Sequence, residues 1–335
     1  MNVKGICRKY LNNKIVSITS IGGGHINDSF LVETDAGRFI CQRLAKDMDI
    51  EKLEYNYSLY SSLFDKCHYS YPKLLSSFDE DLFVLDSDGA RWRIYPLIEG
   101  DILSPPLRDE VLFECGAGLA KLHVILGNLD GKPQELYPHL HDLEYYFEQY
   151  IKLIYTKKTY NTRVERTFSE YHDIDLENII EKRIEELKNL EDELKKSDKY
   201  ISEKNRSVIH GDTKLANIIF RDGKVFAFID YDSIMTGSIL DDLADCIRSC
   251  CIVNGVFDKN AAETIVKGYI CNSSPEITGY VKRNLPMTFN KICFMLGLRY
   301  YIDYLTEGNT FAEKYPGYRL ENARRLVSVQ WQEEL

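Results

Sequence analysis

The sequence has no apolar stretch approaching the roughly 20 residues that a membrane-crossing helix needs, so no membrane partner is expected. It also lacks an excess of basic charge. Lysine and arginine number 42 against 52 aspartates and glutamates, a formal net charge of -10. A general phosphate-backbone binder shows the opposite balance, and nucleic acid is not an expected partner. The nine cysteines include no CxxC pair, which removes the usual zinc and thioredoxin-like patterns. Adjacent Cys250 and Cys251 could serve metal or redox chemistry, although thiols on an apolar helix are ordinarily core residues. Residues 1–10 carry three charges and no apolar core, so no secretory signal is expected there and a reducing cytoplasm is the expected compartment. Low-complexity tracts are absent too.

What is present is an ordinary globular mixture, 44% hydrophobic and 28% charged over 335 residues. That length predicts two cores or one large bilobal unit. The opening third alternates like antiparallel strands in "KIVSITSI", "SFLVETD" and "AGRFICQRL", with a hairpin turn at 35–37. The stretch "DIEKLEYNYSLYSSLF" has helical spacing, and further strands are expected between it and "YPLIEG". Beyond that point the pattern turns helical. "PPLRDEVLFECGAGLAKLHVILGNL" opens on Pro-Pro and first-turn acids and runs to Gly127. The charged stretch to about residue 198 reads as solvated amphipathic helix, and residues from 240 onward read as helix again. The expected fold class is α+β. A small antiparallel-sheet lobe, residues 1–96, would bind nucleotide, and a large mainly helical lobe, residues 97–335, would carry catalysis and substrate.

One segment departs from both patterns. "VIHGDTKLANIIF" (208–220) sets a histidine, an aspartate, a lysine and an asparagine between two short apolar runs. Phosphoryl transfer asks a protein for an acceptor-orienting carboxylate, metal ligands and positive charge near the phosphates. Asp212 can accept a hydrogen bond from a substrate hydroxyl, Lys214 can reach a transferred phosphate, and Asn217 offers an oxygen suited to Mg²⁺. The offsets are those of the protein-kinase loop HRDxxxxN, with Gly211 in place of arginine. A polar turn between strands could produce the same eight residues. The second piece is Asp230, at the end of the strand after the next turn. A hairpin would return it to the loop, where it could join Asn217 as a metal ligand, the role of the kinase DFG aspartate.

These two pieces, HGDTKLAN and "FIDYDSIMTGSILDDLADCIR", resemble the aminoglycoside phosphotransferase and choline kinase superfamily. "GGGHINDSF", "FICQRL", "YPLIEGD" and "LGLRYYIDYLTEGNTF" resemble more closely its N-acetylhexosamine 1-kinase branch, and the resemblance spans residues 22–311. It implies a protein-kinase-like bilobal fold, ATP and Mg²⁺ as cosubstrates, and transfer to the anomeric hydroxyl of a sugar. By the same resemblance Asp212 is the catalytic carboxylate, Asn217 and Asp230 hold the metal, and Asp232 could assist it through water; Lys214 joins Asp212 as a catalytic candidate on its own chemistry. Asp242, Asp245 and Arg248 brace the loop. His25, Asn27 and Arg299 contact the sugar, with Asp303 and Tyr304 as weaker candidates.

Some positions depart from the kinase pattern. The third strand offers Gln42 and Arg43 where kinases carry lysine, and alternation lets only one of the two face the cleft. Glu51 and Glu54 could partner Arg43, or face water. Gly22, Gly23 and Gly24 could approach phosphate oxygens closely, although "GGGHINDSF" is not GxGxxG. His25, Asn27 and Asp28 could instead satisfy their own turn. Arg299 could be a snorkelling arginine, His123 a structural hydrogen-bonder, and His139 and His141 ordinary loop residues. The expected function is an ATP-dependent N-acetylhexosamine 1-kinase. The competing readings are a kinase for an aminoglycoside, choline or other amino alcohol, and a nucleotide-binding pseudokinase.

Overall fold

A computed structural model of the chain describes residues 2–22, 27–161, 173–198, 206–308 and 310–332. A short helix α1 (Val3–Cys7) leads into β1 (Ile15–Ile21), β2 (Asp28–Thr34) and β3 (Gly37–Arg43), followed by helix α2 (Ile50–Lys66) and strands β4 (Val84–Leu85) and β5 (Arg91–Pro96). The five strands form one antiparallel sheet in the order β1-β2-β3-β5-β4. The β2 and β3 strands turn over Asp35 and Ala36, with Thr34 opposite Gly37. Helix α2 starts where the Asp49 side chain accepts from the Lys52 N–H, an N-cap that satisfies one of the donors a helix leaves open. Helix α1 has no counterpart in the periodic reading, because five residues are too few to show a period.

The sheet has two different faces, and its register says which residue belongs to which. Phe30, Phe39, Cys41, Trp92 and Ile94 pack with Ile6, Cys7 and Tyr10 into a small outer core. Ser29, Gln42 and Arg93, adjacent in register, lie on the opposite face, toward the rest of the chain.

The remainder is largely helical: α3 (Asp109–Leu126), α4 (Leu143–Asn161) and α5 (Ile174–Asp198) precede a β-rich centre, and α6 (Ile239–Cys251), α7 (Lys259–Ile270), α8 (Pro275–Leu305) and α9 (Tyr318–Ser328) follow it. One apolar core runs through these helices and reaches α2. The centre holds β6 (Arg206–Ile209), β7 (Ile218–Arg221), β8 (Lys224–Phe228) and β9 (Met235–Ser238). Strand β6 pairs with β9, while β7 and β8 form their own hairpin between them. The region from 240 onward, expected to be helical throughout, also contains a small hairpin, β10 (Ile252–Val253) with β11 (Val256–Phe257). It turns at Asn254 and Gly255, both at positive φ, the conformation that an Asn-Gly turn favours.

The "YPLIEGD" segment is tied to the centre. The Asp101 N–H donates to the Phe220 carbonyl at 2.8 Å, and the Phe220 N–H returns the bond at 2.9 Å. Gly100 has φ +151°, and a Cβ there would lie 2.6 Å from the Phe220 carbonyl oxygen. Only glycine fits that approach.

Candidate active site

Residues 210–217 cross from β6 to β7, and their shape is set from below by one side chain. Asp242 of α6 is buried at 1% exposure. Its carboxylate accepts from the backbone N–H groups of His210 and Gly211, both at 2.8 Å, and bonds to His123 Nε2 at 3.0 Å. The Thr213 hydroxyl donates to the Asp242 carbonyl at 2.5 Å, and the Leu215 N–H donates to Ser249 Oγ at 2.8 Å. Burial acts to raise the Asp242 carboxyl, but the His123 bond, the nearby imidazoles and the backbone donor outweigh it and the net shift is downward. A carboxylate that accepts several N–H bonds is stabilised in its charged form.

Gly211 holds φ +83°, and a Cβ there would come within 2.3 Å of the Ser233 carbonyl oxygen. The position that is arginine in the kinase loop must be glycine in this one. His210 is fully buried and stays neutral, its pKa lowered by burial against the pull of Asp242 and Asp212. Its Nε2 donates to the Ile229 carbonyl at 3.0 Å, leaving Nδ1 to accept the Asp212 N–H at 3.3 Å.

The candidate side chains converge above this frame. Lys214 Nζ lies 2.5 Å from Asp212 Oδ2, and Asn217 Nδ2 donates to the same oxygen at 2.9 Å and to the Asp212 carbonyl at 2.8 Å. Burial would raise the Asp212 carboxyl, yet the Lys214 charge and hydrogen bond carry it below its ordinary value. The β7–β8 hairpin returns the chain so that the Ile229 N–H donates to the Asn217 carbonyl at 2.9 Å. The next residue, Asp230, takes a left-handed conformation, φ 68° and ψ 61°. Burial first, then the charges of Asp232 and Asp212, push its carboxyl up to about 7. Among the described residues no group of three or more histidine, cysteine or acidic side chains is placed to hold a metal. Asn217 and Asp230 are oxygen donors beside an excess of negative charge, the setting a hard divalent cation fits when phosphate and water complete its shell.

Asp232 has a different environment. Arg93 Nη1 and Nη2 reach its two oxygens at 2.6 and 2.9 Å, with side-chain exposures of only 6% and 5%. The Asn27 amide donates to Oδ2 at 3.3 Å. Both oxygens of Asp232 are thus engaged by Arg93, and Asn27 adds a second bond to one of them. Gln42 Oε1 accepts from Arg93 Nε at 2.9 Å, and Gln42 Nε2 donates to Ser29 Oγ at 3.0 Å. Gln42 therefore faces the cleft. Arg43 lies on the outer face, 3.7 Å from Asp28 and 3.8 Å from Asp86, so of the two third-strand candidates it is Gln42 that the alternation turns inward. Glu51 and Glu54 are exposed and pair with neither.

Among the described residues nothing lies within 4 Å of a Cβ added at Gly22. Gly23, Gly24 and His25 lie outside the described residues. Asn27 bridges, its Oδ1 accepting from the Ala45 N–H at 3.3 Å. Arg299 is half-buried, its guanidinium 5.1 Å from the Tyr146 ring and 5.5 Å from the Phe311 ring. Asp303 is buried and accepts the Thr310 and Phe311 N–H groups at 3.0 Å, a turn-holding role. Asp245 accepts from Arg248 Nε and Nη2 at 2.9 and 2.8 Å. His123 bridges Asp242 and the Tyr269 hydroxyl. His139 stacks on Tyr145 at 4.1 Å, whereas His141 Nε2 donates to the Gly211 carbonyl at 3.1 Å and so touches the loop.

Reading the sequence missed Arg93 and Tyr137, and took His141 for an ordinary loop residue. Tyr137 precedes α4, where burial and then the charges of Asp232 and Asp230 raise its phenol, with Arg93 opposing. Strand alternation from Trp92 could have flagged Arg93 as the charged residue on the other face; the loop residues carry no such pattern.

Solved structures share this architecture. An amicoumacin kinase in complex with AMP-PNP, Ca²⁺ and amicoumacin is similar at 13% identity, with 97% of this chain and 91% of that one covered and a TM-score of 0.63. Choline kinase from Cryptosporidium parvum Iowa II is similar at 15% identity, with 96% and 95% covered and a TM-score of 0.61. An aminoglycoside phosphotransferase from Alicyclobacillus acidocaldarius is similar at 10% identity, with 96% and 90% covered and a TM-score of 0.64. At these identities the likeness is one of fold: a small antiparallel sheet ahead of a mainly helical part, as in protein kinases. The model of the phosphotransferase enzyme family matches residues 17–273, well over half the chain, and the chain belongs to that family.

Proposed function

We propose that the protein is an ATP- and divalent-metal-dependent kinase that phosphorylates a small hydroxylated molecule, with N-acetylhexosamine as acceptor and the anomeric oxygen as the site of transfer. The observation that carries the phosphotransfer reading is the convergence of Asp212, Lys214 and Asn217 on one loop with Asp230 behind it. Asp212 is ionised and partly exposed, at 27% of its side chain, so a bound hydroxyl can donate to it. As the acceptor oxygen bonds to the γ-phosphorus, its proton passes to Asp212. The bond from that phosphorus to the bridging oxygen breaks and its electron pair leaves with ADP. Lys214, already within reach of Asp212, offsets charge on the moving phosphoryl group. Mg²⁺ held by Asn217 and Asp230 would neutralise charge on the β and γ phosphates.

The sugar acceptor is supported by the separated motifs that resemble the N-acetylhexosamine branch and by chemistry at Arg299. An anomeric hydroxyl is more acidic than an ordinary alcohol, so a carboxylate base suffices. A cationic acceptor such as choline favours bare aromatic faces, whereas here Arg299 already stands over Tyr146 and Phe311. Two structural neighbours are nevertheless described as a choline kinase and an ethanolamine kinase, so an amino alcohol kinase is the second reading.

The test is incubation with ATP, Mg²⁺ and separate acceptors: N-acetylglucosamine, N-acetylgalactosamine, choline, ethanolamine and an aminoglycoside. Mass detection of the product and phosphorus NMR of its position are the readouts, with a hexosamine 1-phosphate expected. Phosphate on an amino alcohol, or at another sugar position, refutes the acceptor claim. Asp212→Asn should lower kcat by about 10²–10⁴-fold while ATP binding persists; undiminished turnover would remove Asp212 from its role.

A further inference from the structure

Kinases commonly join their two halves through a lysine on the third strand and a glutamate on the next helix. Here the cleft face of β3 presents Gln42, and the α2 glutamates are exposed. The sheet reaches the metal-bearing turn by another route. Arg93 on β5 grips both oxygens of Asp232, two residues beyond Asp230. Gln42 fixes the Arg93 Nε and is itself fixed by Ser29, so the guanidinium is held on three sides. Tyr231, between the two aspartates, stacks on Tyr60 of α2 at 5.0 Å and meets Phe64 at 5.2 Å. The 231–233 turn is therefore clamped from the sheet and from α2 together.

That clamp has something to hold. Asp230 sits in the left-handed region, a conformation that is strained for a residue with a Cβ and persists only when its surroundings enforce it. Two charge-assisted bonds in a planar fork fix orientation as well as distance. A lysine or a single hydrogen bond would let the turn rotate.

We propose that Arg93 is a positioning residue for the metal site: by clamping Asp232 it aims Asp230, and it takes over the inter-lobe ion pair that the third strand lacks. The proposal rests on the reading of Asp230 as a metal ligand. In this role Arg93 acts through Asp232 and not on the metal or the substrate. Breaking the pair from one side leaves a buried charge unpaired, whereas neutralising both partners can be close to neutral for stability. The informative variant is accordingly the double one, Arg93→Met with Asp232→Asn.

The experiment is Mn²⁺ binding to the full chain in the presence of ATP, read by electron paramagnetic resonance, beside thermal melting of the same samples. The double variant is expected to melt near the wild type and to bind Mn²⁺ about tenfold more weakly or worse. Wild-type Mn²⁺ affinity in that variant would overturn the proposal. Should the double variant not fold, Arg93→Lys decides: it keeps the charge and loses the fork, and unchanged Mn²⁺ affinity there overturns the proposal equally. Failure of the wild type to bind Mn²⁺ with ATP would instead refute the metal-ligand reading, and the clamp's role with it.

Discussion

At the scale of single residues the loop is held by exclusions as much as by bonds. Gly211 is the plainest case, since a side chain there must both accept a positive φ and displace the Ser233 carbonyl. Gly211→Ala should destabilise the fold by about 2 kcal/mol or more, visible as a lowered melting temperature, and should depress turnover by moving Asp212. An unchanged melting curve would mean that the turn adapts. The sequence showed that the kinase arginine was missing but not why. The reason lies 22 positions along the chain, in a carbonyl that only the β6–β9 pairing brings near.

At the scale of elements, α6 is the support of the site. Asp242 and Ser249 share the face of that helix that meets the loop, through four hydrogen bonds to residues 210–215. Resemblance alone had assigned the bracing role to this region. Asp242→Asn keeps the shape but replaces an anion by an amide facing N–H donors, and should cost about 3 kcal/mol at neutral pH. The pH dependence has a definite sign. The Asp242 carboxyl is depressed in the fold, so its contribution is present above the unfolded-state value near 4 and is lost as pH falls through its lower folded value. Chemical denaturation from pH 7 downward should show the gap between wild type and D242N closing in acid; a constant gap would argue against a charge effect. His210 adds in the same direction. It is held neutral with a lowered pKa, so protonation of the unfolded chain below about 6.5 favours unfolding. The β10–β11 hairpin is an element that was legible and overlooked: "IVNGVF" carries the Asn-Gly signal, masked by the helical pattern on both sides.

At the scale of the whole molecule, two contacts beyond the site join the sheet region to the helices. Asn56 of α2, buried at 1% exposure, donates to the Gln134 carbonyl and accepts the Gln134 N–H, both at 2.8 Å. Lys52 Nζ adds a bond to the Glu135 carbonyl at 3.2 Å. The segment so anchored continues through Tyr137 to His141, which touches the loop. Asn56→Ala would strand both backbone groups of Gln134 and should cost about 1–3 kcal/mol. Hydrogen exchange across residues 130–141 should quicken in that variant, and unaltered protection would show that the segment holds its place without α2.

Periodicity and local chemistry determined a good deal. Alternation marked the strands of the sheet and its hairpin, helical spacing marked α2 and α3, and the offsets in "HGDTKLAN" with Asp230 marked the candidate site, because those signals repeat within a few residues. Tertiary structure decided what depends on distant segments meeting: that Gln42 and not Arg43 faces the cleft, that Asp232 belongs to Arg93, and that β6 pairs with β9. A side chain's partner across 139 positions of chain leaves no local period in the sequence; it exists only once the sheet has folded over the turn that carries Asp230.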